Sequence, residues 1–496
     1  MIPLLEAIKN NQDRVAVYQN QNKYTYAQLN KYSSAISAGL KKEKSINVAL
    51  LAENSCNYII ALIGIWKSNN TAVPISPQHP IEELHYFITN SQAQILFYDD
   101  SNKIKAKELK SINTQLELIS IEKATVDFKE AKSENSPQLN DNALIIYTSG
   151  TTNKPKGVVH THASLDFQFK TLSKAWYWTE NDFIPLFLPL HHIHGIVNVL
   201  CCCLYNGASL QTFKKFKDSE IYNQIINQKY SLFMAVPTIY NKLISFHKSQ
   251  SKAKQIAFHK ACKNMRLMIS GSAALPVSTL KIWETISGHF LLERYGMSEI
   301  GMAISNPYLG QRKAGMIGFP FEGIEIKLVS ENGQMITKQK EIGEIYVKGP
   351  NLFKTYWNND KAFHNSFDQS WFKTGDVAYI EDNYYKIVGR KSIDIIKTGG
   401  FKVSALEIEE KIRTYEGIQD CAVIGIKDEE WGEIIAVAIE LTNPIDLNQL
   451  KHYLKLKLAH YKIPKIYNTL SKLPRNAMGK VNKKEIIQLI NNSSNQ

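Results

Sequence analysis

The sequence predicts an α/β protein. A large N-terminal part is built of βα-alternating sheets with a β-rich subdomain after it, and a small α+β unit closes the chain. Three observations carry this. Up to about residue 300, short apolar runs alternate with stretches whose apolar residues fall at helical spacing, the pattern of a mostly parallel sheet covered by helices. From about residue 310 the pattern changes to short strands and turns. Past about residue 390, two apolar strand-like runs precede a lysine-bearing helical stretch. With 496 residues, more than one domain is expected, and 1–390 and 391–496 are the expected units.

In chain order, residues 48–51 (VALL), 72–75 (AVPI) and 95–98 (ILFY) read as strands, and 57–68 and 81–91 as helices between them. Residues 121–142 are polar and turn-rich and are expected to form a loop. The apolar run 143–146 (ALII) is a further strand, and it leads into YTSGTTNKPKGV at 147–158. There, hydroxyls (Thr148, Ser149, Thr151, Thr152), glycines (Gly150, Gly157) and lysines (Lys154, Lys156) fall close together. Glycine frees backbone amides to face an anion, hydroxyls add donors and lysine adds mobile charge, so the stretch reads as a phosphate-holding loop. It is not the common P-loop: the glycines are too far apart, Lys156 precedes its glycine and Pro155 interrupts.

Residues 183–190 form a strand-like run ending in His191, His192, Ile193 and His194. Three histidines in four residues admit a metal site, a pocket lining or a core role. With no acidic or cysteine partner nearby and an apolar helix following, a pocket at a strand end is favoured. Strand-like runs at 231–237 and 266–270 follow, the second entering GSAALP (271–276), where small residues let a flat ligand approach the backbone. The run FLLERYGMSE (290–299) ends a strand in Glu293, Arg294, Tyr295, Ser298 and Glu299. Tyr295 can stack on a base, Glu299 can hold Mg²⁺ and Arg294 can grip an anion. Further on, 323–328 reads as a strand, and WFKTGD (371–376) ends in Asp376, a candidate acceptor for a ribose diol. Strands are expected near 421–425 and 434–438, a helix over 446–460, and a turn at 473–481 that carries Lys480.

The net charge of +13 would suit nucleic acid, but the lysines spread along the whole chain and no nucleic-acid motif accompanies them. Diffuse positive charge favours small anionic ligands instead. Because lysine supplies most cations, the few arginines mark sites wanting a bidentate guanidinium. No apolar run is long enough to cross a bilayer, and the N-terminus reads as neither a secretory signal nor a transit peptide, so a cytoplasmic protein is expected. The six cysteines show no ligand spacing and read as small buried apolar residues.

Together and in order, YTSGTTNKPKG, ERYGMSE, TGD, GRKSIDIIKTGGFKVSALEIEE and PRNAMGK resemble motifs of the adenylate-forming superfamily of acyl-CoA synthetases, adenylation domains and luciferases. LPLHHIHG, GSAAL and GHFLLERYGMSEIGMA are similar to its malonyl-CoA and methylmalonyl-CoA synthetase branch. The resemblance implies an AMP-forming acid–CoA ligase using ATP, Mg²⁺ and coenzyme A, with a mobile C-terminal domain. ATP would be held by Thr148, Ser149, Gly150, Thr151, Thr152 and Lys156, by Gly271, Ser272 and Ala273, by Glu293, Tyr295, Gly296, Met297 and Ser298, and by Asp376 and Arg390. Glu299 would hold the metal, and Lys480 would act in adenylation. Lys391 and Ser392 would form the hinge, and Gly399, Gly400 and Lys402 the pantetheine tunnel.

A second carboxylate on the acid must be neutralised in a desolvated pocket, which arginine does best. Arg294 is the leading candidate, with His192, His194 and Arg266 beside it. A small or medium-chain or fatty acyl-CoA synthetase is the alternative enzyme, and a non-catalytic nucleotide-binding module the alternative of another class. Monomer and homodimer both stay open. Asn153, Ser298 and Ser392 depart from the superfamily pattern: asparagine tolerates left-handed geometry, serine keeps the hydroxyl of the usual threonine, and Ser392 leaves the locking of the hinge open.

Overall fold

The computed structural model describes residues 2–40, 44–127, 137–148, 154–476 and 479–494. A seven-stranded sheet runs from edge to edge in the order Thr355–Tyr356, Lys156–Thr161, Asn142–Thr148, Thr71–Pro74, Asn47–Leu51, Ile95–Tyr98 and Glu117–Ser120. Its inner strands pair in parallel, with Val48 opposite Ala72 and Ile95. Parallel neighbours need crossovers, and the helices Cys56–Lys67, Ile81–Ser91 and Lys103–Ile112 supply them. The strands Asn47–Leu51 and Thr71–Pro74 are buried throughout, which is why they read as unbroken apolar runs. Helix Cys56–Lys67 is apolar almost all round and is buried except at Asn57 and Lys67, its start capped by Ser55.

A second sheet holds Leu232–Ala235, Leu267–Ser270 and Leu292–Met297 in parallel, then Gly301–Ser305 and Phe319–Pro320 antiparallel. The carboxyl ends of its parallel strands face one cleft, where ligands of open α/β sheets bind. A third sheet is antiparallel and includes Trp371–Glu381 paired with Tyr384–Arg390. The C-terminal sheet, from Ile395–Thr398 to Ile466–Leu470, carries two hydrophobic clusters of its own, including Ile408, Val423, Val437 and Leu450 on one face and Ala422, Ile424 and Ile486 on the other.

Two sequence expectations change. Residues 121–142 are not a loop throughout: Ile121–Asp127 is a helix whose Ile121 and Ala124, three apart, are buried in the main core. One short apolar stripe was hidden among charged neighbours. The apolar helix after the histidines begins as a π-helix, His194–Cys201, and continues as Cys202–Tyr205. Single π turns recur at functional sites, where they re-aim side chains. All six cysteines are buried and unpaired.

Candidate active site

The parallel register places Ser270 opposite Glu293, so Gly271 comes level with Arg294. A Cβ at Gly271 would lie 2.5 Å from the Arg294 guanidinium carbon, so only glycine lets that side chain lie flat against the backbone. Arg294 is 4% exposed. Its Nη2 donates to Ser272 Oγ over 3.4 Å, and that hydroxyl lies 3.1 Å from His194 Nδ1. Arg294 Nε has no partner, and no carboxylate forms an ion pair with Arg294 among the described residues. The Nε2 atoms of His192 and His194 are also buried without partners among the described residues.

Burial lowers the His192 pKa to about 3, helped by Lys480, and holds His194 well below the usual histidine range, helped by Arg294. Both imidazoles are therefore neutral at pH 7 and can donate or accept. Burial without a counter-ion also lowers the Arg294 pKa. An unpaired buried guanidinium is costly, and an anionic ligand relieves it.

The opposite wall is satisfied from within. Asp376 and Arg390 are register partners on adjacent strands, and Arg390 Nε donates to Asp376 Oδ1 over 2.9 Å. The other carboxylate oxygen accepts from Tyr295 Oη over 2.7 Å. Glu299, 7% exposed, accepts from Tyr356 Oη over 2.9 Å, and the Lys156 ammonium sits 4.9 Å from the centre of the Tyr356 ring. Burial raises the Glu299 pKa, against the pull of Tyr356, Arg390 and Lys156. Among the described residues no group of three or more His, Cys, Asp or Glu side chains is placed to hold a metal by itself. A lone carboxylate fits Mg²⁺, which takes one or two carboxylates and completes its shell with water and substrate phosphates.

Thr148 and Lys156 are partners on antiparallel strands, and Ser149, Gly150, Thr151 and Thr152 lie outside the described residues. Ala273 is exposed on the turn after Ser272. A Cβ at Gly296 would lie 2.1 Å from the Gly301 carbonyl, Met297 is half-buried, and the Ser298 carbonyl accepts from His160 Nε2 over 2.6 Å. Glu293 is buried and accepts from the Gly315 amide over 3.1 Å; burial raises its pKa to about 8.

Lys480 reaches the cleft from the C-terminal unit. Its side chain keeps solvent access along the cleft, while the surrounding protein, Arg390 and Arg294 lower its pKa to about 8 against the pull of Asp376. The neighbouring Gly479 packs on Thr238 closely enough that a Cβ would lie 3.2 Å from its hydroxyl. Lys391 pairs with Glu344 at 3.0 Å, and Ser392 is exposed beside it. Gly399 and Gly400, both at positive φ, form the two-residue tip of a hairpin, as such turns require. Gly399 packs on Trp431, in the turn between strands Ile418–Asp428 and Gly432–Leu441, and Lys402 pairs with Glu331 at 2.5 Å.

Arg266 is a correction. Its Nε and Nη2 each donate to Asp182 over 2.7 Å, and its Nη1 donates to the Trp176 carbonyl. Asp182 lies 84 residues earlier, so sequence gave no sign that this guanidinium is already occupied in a structural ion pair. Tyr356 and Trp431 were missed. Both sit in segments with no motif of their own, and only the fold sets them beside Glu299 and Gly399.

The model of the AMP-binding enzyme family matches residues 4–357, and that of the AMP-binding enzyme C-terminal domain matches 407–480. The chain belongs to the AMP-binding enzyme family. Relatives of this AMP-binding enzyme include the mitochondrial malonate–CoA ligase of Homo sapiens, 36% identical over 96% of this chain and 90% of that protein. The malonate–CoA ligase of Arabidopsis thaliana is 36% identical over 97% and 87%. Among solved structures, ATP-bound MatB from Rhodopseudomonas palustris matches with a TM-score of 0.91 at 30% identity, over 99% of each chain. Its apo form matches at 0.80, so this chain has the shape of the ATP-bound form more than that of the apo form.

Proposed function

We propose that this AMP-binding enzyme is an ATP-dependent acid–CoA ligase that makes malonyl-CoA, or methylmalonyl-CoA, from the free acid. The observation that carries the substrate is Arg294: a buried guanidinium without a carboxylate counter-ion among the described residues, beside a hydroxyl that also meets the neutral His194. It supplies the charge that the far carboxylate of a dicarboxylic acid needs in a desolvated pocket. A fatty acid would leave it unpaired. The malonate–CoA ligase relatives support the same reading.

In the first step a carboxylate oxygen attacks the α-phosphorus of ATP and pyrophosphate leaves, giving an acyl-adenylate. In the second, the thiol of coenzyme A loses its proton and attacks the acyl carbon, and AMP leaves. Asp376, set by Arg390 and Tyr295, accepts from the ribose hydroxyls. Lys156 and the loop around Thr148 hold the phosphates, and Gly271, Ser272 and Tyr295 frame the adenine. Lys480 bridges the attacking carboxylate and the α-phosphate, so its charge lies where negative charge gathers. Glu299 would hold Mg²⁺, which would supply positive charge to offset that of the phosphates.

With Lys480 in the cleft and Gly399–Gly400 at a hairpin tip on Trp431, the arrangement suits adenylation. Rotation of residues 391–496 about Lys391–Ser392 then carries Lys480 out and brings the glycines and Lys402 to the pantetheine arm. Six unpaired thiols fit a reducing compartment, and the cytoplasm is the setting we propose.

The test is AMP release with CoA across acetate, malonate, methylmalonate, succinate and octanoate. Fastest turnover on malonate or methylmalonate is expected; fastest turnover on octanoate would favour the fatty-acid reading.

A further inference from the structure

We propose that Glu410 is a positioning residue for the adenylation step: it anchors the C-terminal unit to the N-terminus of helix Val277–Ser287 and thereby seats Lys480 in the cleft. The proposal rests on the reading that Lys480 acts in adenylation. Helix Val277–Ser287 follows the GSAALP turn, and its N-cap residue, Pro276, provides no side-chain cap. The first amides of any helix lack intrahelical acceptors, and the helix dipole makes that end attractive to an anion. Here the acceptor comes from the other unit: the Val277 amide donates to Glu410 Oε1 over 3.1 Å. Glu410 lies on helix Ala405–Ile412 of the C-terminal unit.

That helix is tied to the turn bearing Lys480 through charged, half-buried groups. Arg413, at its C-cap, donates to Asp420 Oδ1 over 2.9 Å. Arg475 donates to Asp420 Oδ2 over 2.5 Å and, through Nη1, to the Gly479 carbonyl over 3.0 Å. Glu409 of the same helix pairs with Arg413 at 3.2 Å and with Lys483 at 2.7 Å, and Lys483 also pairs with Asp394 at 2.6 Å. Helix, Asp420 and the Lys480 turn therefore move together, and fixing Glu410 fixes where Lys480 sits. The ion pair Lys402–Glu331 also spans the units, but both side chains are about half exposed, where such a pair contributes little. A cap made in one orientation and lost on rotation biases the unit toward the adenylation arrangement, while leaving the rotated arrangement untouched.

The test separates the half-reactions. Adenylation is read as malonate-dependent ATP–pyrophosphate exchange, and thioester formation as single-turnover transfer from synthetic malonyl-adenylate to CoA. Two variants remove the bond from opposite ends: Glu410→Ala removes the acceptor, and Val277→Pro removes the donor at a first-turn position that tolerates proline. Each is expected to lower exchange about 3- to 30-fold, the range set by loss of a helix cap. Transfer to CoA should stay within about twofold, and the double variant should lose no more than either single one. Glu410→Gln, which keeps an oxygen acceptor without the charge, should fall between.

Unchanged exchange in both single variants overturns the proposal. So does an equal fall in both half-reactions, or losses that multiply in the double variant. If the wild type exchanges only with another acid, the substrate reading fails while Glu410 is tested on that acid. Exchange with no acid overturns both.

Discussion

The two walls of the cleft differ in how their polar groups are satisfied. On one, Arg390 and Tyr295 are bonded to Asp376, and Tyr356 to Glu299, before any ligand enters. On the other, Arg294 Nε and the Nε2 atoms of His192 and His194 are buried without partners among the described residues. The first wall is pre-organised by strand register, because Asp376 and Arg390 face each other across a ladder. The second holds its charge in a flat approach over Gly271 and stays incomplete. A satisfied wall fixes a ligand common to a whole family; an incomplete one selects the ligand that completes it. This is the physical content of assigning ATP to one side and a dicarboxylic acid to the other.

The largest expected effect comes from the cation that spans both walls. Lys480→Ala should lower malonate-dependent pyrophosphate exchange on the order of 10²–10³-fold, as loss of a transition-state charge contact does, while transfer from preformed malonyl-adenylate to CoA survives. Arg294→Leu should lower kcat/KM for malonate about 100-fold or more. It should leave the melting temperature unchanged or raised, because an uncompensated buried charge is replaced by an apolar side chain. If the melting temperature drops sharply, Arg294 has a protein partner and the contrast between the walls is lost.

Asp376→Asn breaks the satisfied wall instead. Its KM for ATP should rise about tenfold, with a stability loss of about 1–3 kcal/mol in chemical denaturation, because Arg390 loses its counter-ion. The pH dependence is smaller and has a definite sign. Adenylation needs the Lys480 ammonium, whose pKa lies near 8, down from 10.5. The charged form is present below about pH 8 and lost above it, so kcat/KM for exchange should fall as pH rises through 8. Lys480→Arg should move that fall to higher pH. The smallest kinetic effect is expected for Arg266→Met: malonate kinetics within about twofold of wild type, but a stability loss on the order of 3 kcal/mol from leaving Asp182 unpaired, read by denaturant unfolding.

Much of the first wall was legible in the sequence, because its residues sit at strand ends inside motifs: Tyr295 in ERYGMSE, Asp376 in TGD and Arg390 in GRKS. The fold class was legible too. Buried parallel strands such as Asn47–Leu51 are unbroken apolar runs, and helix Ile81–Ser91 falls on the expected residues. What stayed hidden depends on pairing across long stretches of chain. Arg266 reads as a free arginine until Asp182 is folded against it. Tyr356 sits 57 residues from Glu299, and nothing local marks it. Three histidines in four residues do not reveal that His194 shares a hydroxyl with Arg294, because a π-helix turns the chain there.

The most direct test of the central claim compares AMP release with malonate and with octanoate, by wild type and Arg294→Leu side by side. The account predicts that the wild type prefers malonate by at least about 100-fold in kcat/KM and that the variant loses that preference. An enzyme that turns over octanoate faster, or a variant that keeps its full rate on malonate, would contradict it.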